Sequence, residues 1–71
     1  MKVEQKLMDR YAGSDLSWMD LSGSDMRGLN MRGAKLSGSD LSGVDLSGCN
    51  LYGVDLSKVN LDGAKLLGTK F

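Results

Sequence analysis

The sequence predicts an all-β solenoid, in which short strands stack in parallel along one axis, preceded by a short N-terminal α-helix. Two series in the chain, each with a period of five residues, predict the solenoid, and such a repeat decides a fold before any other feature. The glycine series is Gly23, Gly28, Gly33, Gly38, Gly43, Gly48, Gly53, Gly63 and Gly68. The apolar series, three positions after each glycine, is Leu16, Leu21, Met26, Met31, Leu36, Leu41, Leu46, Leu51, Leu56, Leu61, Leu66 and Phe71.

A five-residue period fits neither regular element. On an α-helix, five steps of about 100° turn each apolar residue by about 140° from the previous one, so no apolar face forms. On a continuous strand, an odd period places successive apolar residues on opposite faces. Both conflicts disappear if the chain turns once per unit, which predicts a solenoid.

Each unit combines a three-residue extended segment with a two-residue corner. In Val44-Asp45-Leu46 the first and third residues point inward and the aspartate points outward, and Ser47-Gly48 forms the corner. Glycine suits a corner because it tolerates backbone angles that are closed to other residues. Residues 14–71 contain twelve such units.

Residues 1–13 precede the repeat. Val3, Leu7 and Tyr11 recur every four residues, and Gly13 follows as a C-terminal helix signal. This spacing predicts a short amphipathic helix. It either caps the first coil or docks on a neighbouring subunit, since alone it is too short to be stable.

The units Ser39-Asp40-Leu41-Ser42-Gly43 and Val44-Asp45-Leu46-Ser47-Gly48 resemble the A(D/N)LxG unit of pentapeptide-repeat proteins. The resemblance covers residues 14–71 and implies a right-handed quadrilateral β-helix of about three coils, with four units and twenty residues per coil. Trp18 and Lys58 depart from the pattern at the glycine position, so the first coil is predicted to be the least regular, with its corner reshaped around Trp18.

The chain reaches its last apolar position at Phe71 without a capping segment, which predicts an open coil end. Such an end exposes apolar side chains and unpaired backbone groups, a template for further pairing. The sequence therefore predicts self-association, most simply head to tail into a filament. The residues expected at this interface are Leu61, Leu66, Phe71, Lys65 and Lys70 at one end and Leu16, Leu21, Met26, Asp15, Asp20 and Asp25 at the other.

Charge supports a head-to-tail contact. Residues 14–26 carry three aspartates and no base, whereas residues 58–71 carry three lysines and one aspartate. Surface pairs are individually weak, so this only favours one orientation. If the N-terminal helix blocks its end, the expected assembly is a dimer through the last coil that serves as an interaction module, an arrangement familiar in the family.

Outward-facing apolar residues offer a second kind of contact. Trp18, Tyr52 and Leu67 occupy outward positions, and the apolar stripe of Val3, Leu7 and Tyr11 could also meet a neighbour laterally. Single exposed apolar residues are common on any protein surface. Trp and Tyr are nevertheless enriched at interface centres.

Several functions are disfavoured by composition. Some pentapeptide-repeat proteins mimic DNA and inhibit or protect type II topoisomerases, but residues 14–71 carry seven acids against six bases, too few net charges for a mimic. With no histidine, the chain offers neither a base for its serines nor a zinc site with Cys49. We expect no enzyme activity, metal, cofactor, nucleic-acid partner or membrane span. The absence of a signal peptide favours the cytoplasm.

Overall fold

The computed structural model describes residues 11–71, which form a four-sided stack of coils. Parallel backbone bridges join residues that are twenty positions apart, and a bridge residue recurs every five positions. This register confirms the four units per coil that the family resemblance implied, while the right hand of the helix stays a prediction. We name the sides by their outward residues: face A is Asp15, Lys35 and Asp55; face B is Asp20, Asp40 and Asn60; face C is Asp25, Asp45 and Lys65; face D is Asn30, Asn50 and Lys70.

Each side of a coil is extended over too few residues to make a continuous strand. Within residues 11–71 the backbone has neither a helix nor a strand longer than one bridge residue. Coils are nevertheless joined by a regular ladder: the N–H of Leu16 donates to the carbonyl of Lys35 at 2.7 Å, and the N–H of Lys35 donates to the carbonyl of Ser14 at 2.8 Å. Over the same residues there is no helix of the length and apolarity that a bilayer crossing requires.

The corners are tight turns that depend on a left-handed residue. At one of them the N–H of Ser24 donates to the carbonyl of Leu21 at 3.1 Å, and Gly23 has a φ of 74°. A positive φ at the third position of such a turn is the requirement of a type II turn, which glycine meets without steric cost. Each corner needs a residue with a positive φ, and glycine therefore recurs with the same five-residue period as the corners.

The core runs along the axis of the stack and contains the two inward residues of each unit. Leu29 is bulkier than the residues usual at its position, yet it is fully buried. Ser24 and Ser39 are buried polar residues, and the hydroxyl of Ser39 donates to the carbonyl of Leu36 at 2.6 Å. The buried apolar residues are Leu16, Leu21, Met26, Leu29, Met31, Ala34, Leu36, Leu41, Val44, Leu46, Cys49 and Leu51.

Trp18 and Lys58 do not reshape the corners where they replace glycine. Their φ angles are 63° and 62°, close to the 74° of Gly38, which lies between them in the same corner column. The expectation that the first coil is distorted around Trp18 is therefore wrong. The backbone keeps its turn, because its ladder to the second coil continues on both sides of the residue, and Trp18 accepts an unfavourable left-handed conformation instead.

Candidate assembly surface

The first coil does not present the apolar residues that the sequence analysis assigns to its contact with another subunit. Leu16 is 6% exposed, and Leu21 and Met26 are fully buried. Asp15, Asp20 and Asp25, in contrast, are exposed on faces A, B and C. The structure therefore separates the two groups: the aspartates lie on the sides of the solenoid, and the apolar residues lie in the core.

The third coil presents its apolar residues to solvent. Leu66 is 41% exposed and Phe71 is 63% exposed, although both occupy the inward position of their units. Leu61 is half-buried, and Lys65 and Lys70 are exposed on faces C and D. Because a solenoid residue is covered by the coils before and after it, the inward residues of this coil lack half of that cover.

Backbone groups at the third coil follow the same asymmetry. The N–H of Lys65 donates back to the carbonyl of Val44 at 3.0 Å, so one edge of the coil is paired. The inward residues of earlier coils donate forward, as Leu46 does to the carbonyl of Lys65 at 2.8 Å. By this register the N–H of Leu66 points away from the second coil, as it would in a sheet edge that can accept another strand.

Leu67 belongs to the same surface. It is 84% exposed and lies at the corner between Leu66 and Phe71, beside faces C and D. Its outward position in the repeat predicts a lateral contact. The twenty-residue register places it in the last coil, and a count of coils from the first repeat could have found this. We call Leu61, Leu66, Leu67 and Phe71 the coil-end surface.

The remaining residues expected at lateral contacts do not form one patch. Trp18 is 75% exposed on the corner between faces A and B, and Tyr52 is 57% exposed on the corner between faces D and A. The guanidinium of Arg32 lies 4.9 Å from the centre of the Tyr52 ring. Tyr11 is half-buried and packs against the core. Val3 and Leu7, and most of the expected helix, lie outside the described residues.

Comparison with known proteins identifies the repeat. The family model for pentapeptide repeats matches residues 11–38 and 39–71, in eight copies. The chain belongs to the pentapeptide-repeat family. Among solved structures, it is similar to a pentapeptide repeat protein from the thylakoid lumen of Arabidopsis thaliana, with 29% identity and a TM-score of 0.52. That match covers 84% of this chain and 45% of the Arabidopsis protein, so the chain spans less than half of its length. No curated protein matches the chain.

In this pentapeptide-repeat chain the outward Asp and Asn residues stabilise the corners. The Oδ1 atom of Asp45 accepts the N–H of Ser47 at 3.0 Å, and Asn50 does the same for Tyr52. These are Asx turns, in which a side chain imitates a backbone acceptor. The same bond recurs at Asp15, Asp20, Asp25, Asn30, Asp40, Asp55 and Asn60.

Hydrogen bonding favours the charged form of a carboxyl, and it lowers the pKa of Asp15, Asp20, Asp25, Asp45 and Asp55. The Ser17 backbone N–H lowers the pKa of Asp15, and the hydroxyl of Ser22 lowers that of Asp20. At Asp25 the guanidinium of Arg27 donates twice, at 2.8 and 2.7 Å, and lowers the pKa to about 2. The carboxylates with a lowered pKa therefore stay charged near neutral pH and accept hydrogen bonds at their own corners.

The described residues offer few groups suited to metal binding or nucleophilic catalysis. Across residues 11–71, no three His, Cys, Asp or Glu residues are grouped so that they could hold a metal ion. Cys49 is buried, and its burial raises the pKa of the thiol to about 11, which keeps it protonated and a poor nucleophile. Pentapeptide-repeat proteins are generally non-enzymatic structural and interaction modules.

Proposed function

We propose that this chain is a structural interaction module that self-associates through its coil-end surface into a two-fold dimer. The observation that carries the proposal is the difference between inward residues: Leu66 and Phe71 are 41% and 63% exposed, whereas Leu21 and Met26 are fully buried. Among the inward residues of the described chain, those of the last coil therefore have the most apolar area to bury by docking. Burial of apolar surface, at about 25 cal/mol per Å², supplies the driving force.

The charges around the last coil favour one two-fold arrangement over the others. Its outward residues are Asp55, Asn60, Lys65 and Lys70 on faces A to D. An axis through the corner between faces A and D sets Asp55 against the partner's Lys70 and Asn60 against the partner's Lys65. Axes through the centre of a face, or through the corner between faces A and B, all set lysine against lysine, which is unfavourable between adjacent strands.

Sedimentation velocity over a concentration series tests the proposal. We expect a monomer–dimer equilibrium for the wild-type chain and a monomer for Phe71→Asp, which places an unpaired charge in a dry contact. Tyr52→Asp is the matched control, because it adds the same charge to an exposed aromatic position on the second coil, and it should leave the dimer intact. A wild-type monomer at all concentrations, or an unchanged dimer in Phe71→Asp, would contradict the proposal.

A charge exchange tests the proposed axis. Asp55→Lys should weaken the dimer because it sets two lysines opposite each other. The double variant Asp55→Lys with Lys70→Asp should restore the affinity, since the pair is inverted and the net charge of the end is the wild-type one. Equal affinities for the three proteins would exclude this axis while leaving the coil-end contact in place.

A head-to-tail filament is the second candidate, and the charge asymmetry between the ends favours it. Stacked in register, Lys65 of one copy would meet Asp25 of the next, although Asp55 would meet Asp15. This assembly requires the first coil to uncover Leu21 and Met26. Negative-stain electron microscopy separates the two: rods that lengthen with concentration support the filament, and particles of one size support the dimer. Location in the cytoplasm stays a prediction.

A further inference from the structure

Face A carries a groove that shares one residue, Asp55, with the contacts of the proposed dimer. It has a volume of about 430 Å³ and is open to solvent. Its lining includes Lys35 and Asp55 of face A and Ser17 and Ser37 at the corner that follows this face. The corner that precedes face A carries Arg32 and Tyr52, and the corner that follows it carries Trp18, so an aromatic residue stands at each edge.

The aromatic residue at the second edge is held there at an energetic cost. Trp18 and Lys58 are the two non-glycine residues with a positive φ in the described chain, and both belong to the corner column beside this groove. A left-handed conformation costs such a residue roughly 1–2 kcal/mol. Backbone strain of this kind is concentrated at functional sites. The strained residues at this corner of the first and third coils therefore indicate face A as a candidate functional site.

Gly38 fixes the orientation of the indole. A Cβ at Gly38 would overlap the Trp18 ring, with the Cδ2 atom only 2.7 Å away, so the ring lies directly on the glycine. Despite this support, Trp18 remains 75% exposed. The result is an aromatic surface that is supported from the protein side and open to solvent. It adjoins the groove, because the backbone N–H of Trp18 donates at 3.0 Å to the carbonyl of Ser37, which lines the groove.

The polar groups of the groove fit a neutral ligand rich in hydroxyls. Along face A the charges alternate between Asp15, Lys35 and Asp55, so neither sign dominates the field. Each coil contributes one of these charged groups, as a hydrogen-bond donor or acceptor, to a ligand that lies along the stack. Successive coils are about 4.8 Å apart. Small-ligand sites typically combine aromatic walls with a few polar groups that fix orientation.

We propose that face A is a binding site for a carbohydrate chain. A sugar ring would stack its C–H face on Trp18, and its hydroxyls would pair with Ser37, Lys35 and Asp55. A nucleotide or another polyanion fits less well, because Asp15 and Asp55 lie on the same face as Lys35. The proposal goes beyond self-association, since the groove lies on the side of the solenoid and the coil-end surface at its end.

The first test uses an array of neutral and acidic glycans, followed by titration of the neutral oligosaccharides that bind. Trp18 is the single tryptophan of the chain, so its fluorescence reports the site directly. We expect a saturable change in emission with a neutral oligosaccharide such as cellohexaose or chitohexaose, and none with tripolyphosphate. Failure of every neutral glycan to bind, or a response to tripolyphosphate alone, would overturn the proposal.

Variants then locate the site, with calorimetry as the readout. Trp18→Gly restores the residue that the corner geometry prefers, so it should fold and yet bind at least about tenfold more weakly. Lys35→Ala should also weaken binding, and it leaves the corner at residue 18 unchanged. Ser42→Ala, at the corner between faces B and C of the second coil, is the control because it lies outside both the groove and the coil-end surface, and it should bind as the wild type does. Equal affinity in Trp18→Gly and wild type would refute the site, and sedimentation of Trp18→Gly should remain unchanged.

Discussion

The first and last coils are built from the same five-residue unit, but they differ in how well that unit is buried. Leu16, Leu21 and Met26 are at most 6% exposed, whereas Leu66 and Phe71 are 41% and 63% exposed. The corners and the ladder are alike in both coils, so local conformation does not cause the difference. A unit specifies its own turn, and its neighbours decide whether its leucine is buried. Stability in a solenoid is accordingly a sum of unit and interface contributions.

Truncation of an inward leucine should show this difference most strongly. Leu21→Ala removes a fully buried side chain, and we expect a loss of about 2–5 kcal/mol in the free energy of unfolding. Leu66→Ala removes a side chain that is 41% exposed, so its loss should be well below that range. Chemical denaturation at a protein concentration that keeps the chain monomeric measures both. Equal losses would mean that the two coils are buried to the same extent in solution.

Glycine substitution at the corners has the next largest expected effect. Gly38→Ala and Gly43→Ala both place a methyl group at a positive φ, with an expected cost of roughly 1–2 kcal/mol each. At Gly43 the new methyl group meets nothing within 4 Å, whereas at Gly38 it overlaps Trp18. Gly38→Ala should therefore be the more destabilising substitution in thermal melts.

A double variant separates strain from contact. In the Trp18→Gly background, Gly38→Ala should cost no more than Gly43→Ala does, because the overlapping ring is gone. The coupling between positions 18 and 38 is the quantity that a double-mutant cycle measures. A coupling of zero would show that the indole does not rest on Gly38.

Lys58→Gly and Trp18→Gly compare the last and first coils within one corner column. Glycine relieves a left-handed φ at both positions but adds entropy to the unfolded chain, so Lys58→Gly should gain only about 0.5–1 kcal/mol. Trp18→Gly also loses the contact with Gly38, and its gain should be smaller. Thermal denaturation by circular dichroism measures the pair. A loss of stability in Lys58→Gly would contradict the strain that its φ of 62° indicates.

The repeat predicted the core and the corners because each is a local consequence of the unit. The alternation in Val44-Asp45-Leu46 predicts which residues point inward, and Val44 and Leu46 are buried as expected. The number of sides depends on how the turns add up over twenty residues, which the period of five does not contain. It came from the family resemblance and is confirmed by bridges such as that between Asp20 and Asp40.

The candidate sites were harder to predict, since they depend on which coil a residue belongs to. Leu67 and Trp18 were both interpreted as outward apolar residues, but the register separates them: Leu67 adjoins the coil-end surface and Trp18 adjoins the face A groove. The burial of Leu21 in the first coil could not be predicted from the repeat, because Leu21 and Leu66 occupy the same position of their units. Periodicity shows which positions are equivalent within the repeat. It does not show that equivalent residues are buried to different extents in different coils.

Acid titration should give the smallest effect, and it concerns the outward residues of the two ends. Asp25 on the first coil forms an Asx turn and an ion pair with Arg27, whereas Lys65 occupies the same column of the last coil. The pKa of Asp25 is lowered from 3.8 to about 2 by the Arg27 bonds, so its contribution to stability is present above pH 4 and is lost as the pH falls toward 2.

Asp25→Asn isolates this contribution because an amide keeps the Oδ1 acceptor, as Asn30 does for Arg32. We expect the variant to lose slightly less stability than the wild type between pH 4 and pH 2, and the two proteins to differ little in shape at neutral pH. Thermal melts in that pH range test the difference, at low ionic strength because the pair is exposed and salt screens it. Parallel melting curves for the two proteins from pH 4 to pH 2 would show that the ion pair with Arg27 does not form in solution. In that case Asp25 would stabilise its corner through the Asx turn alone, as Asp55 does in the last coil.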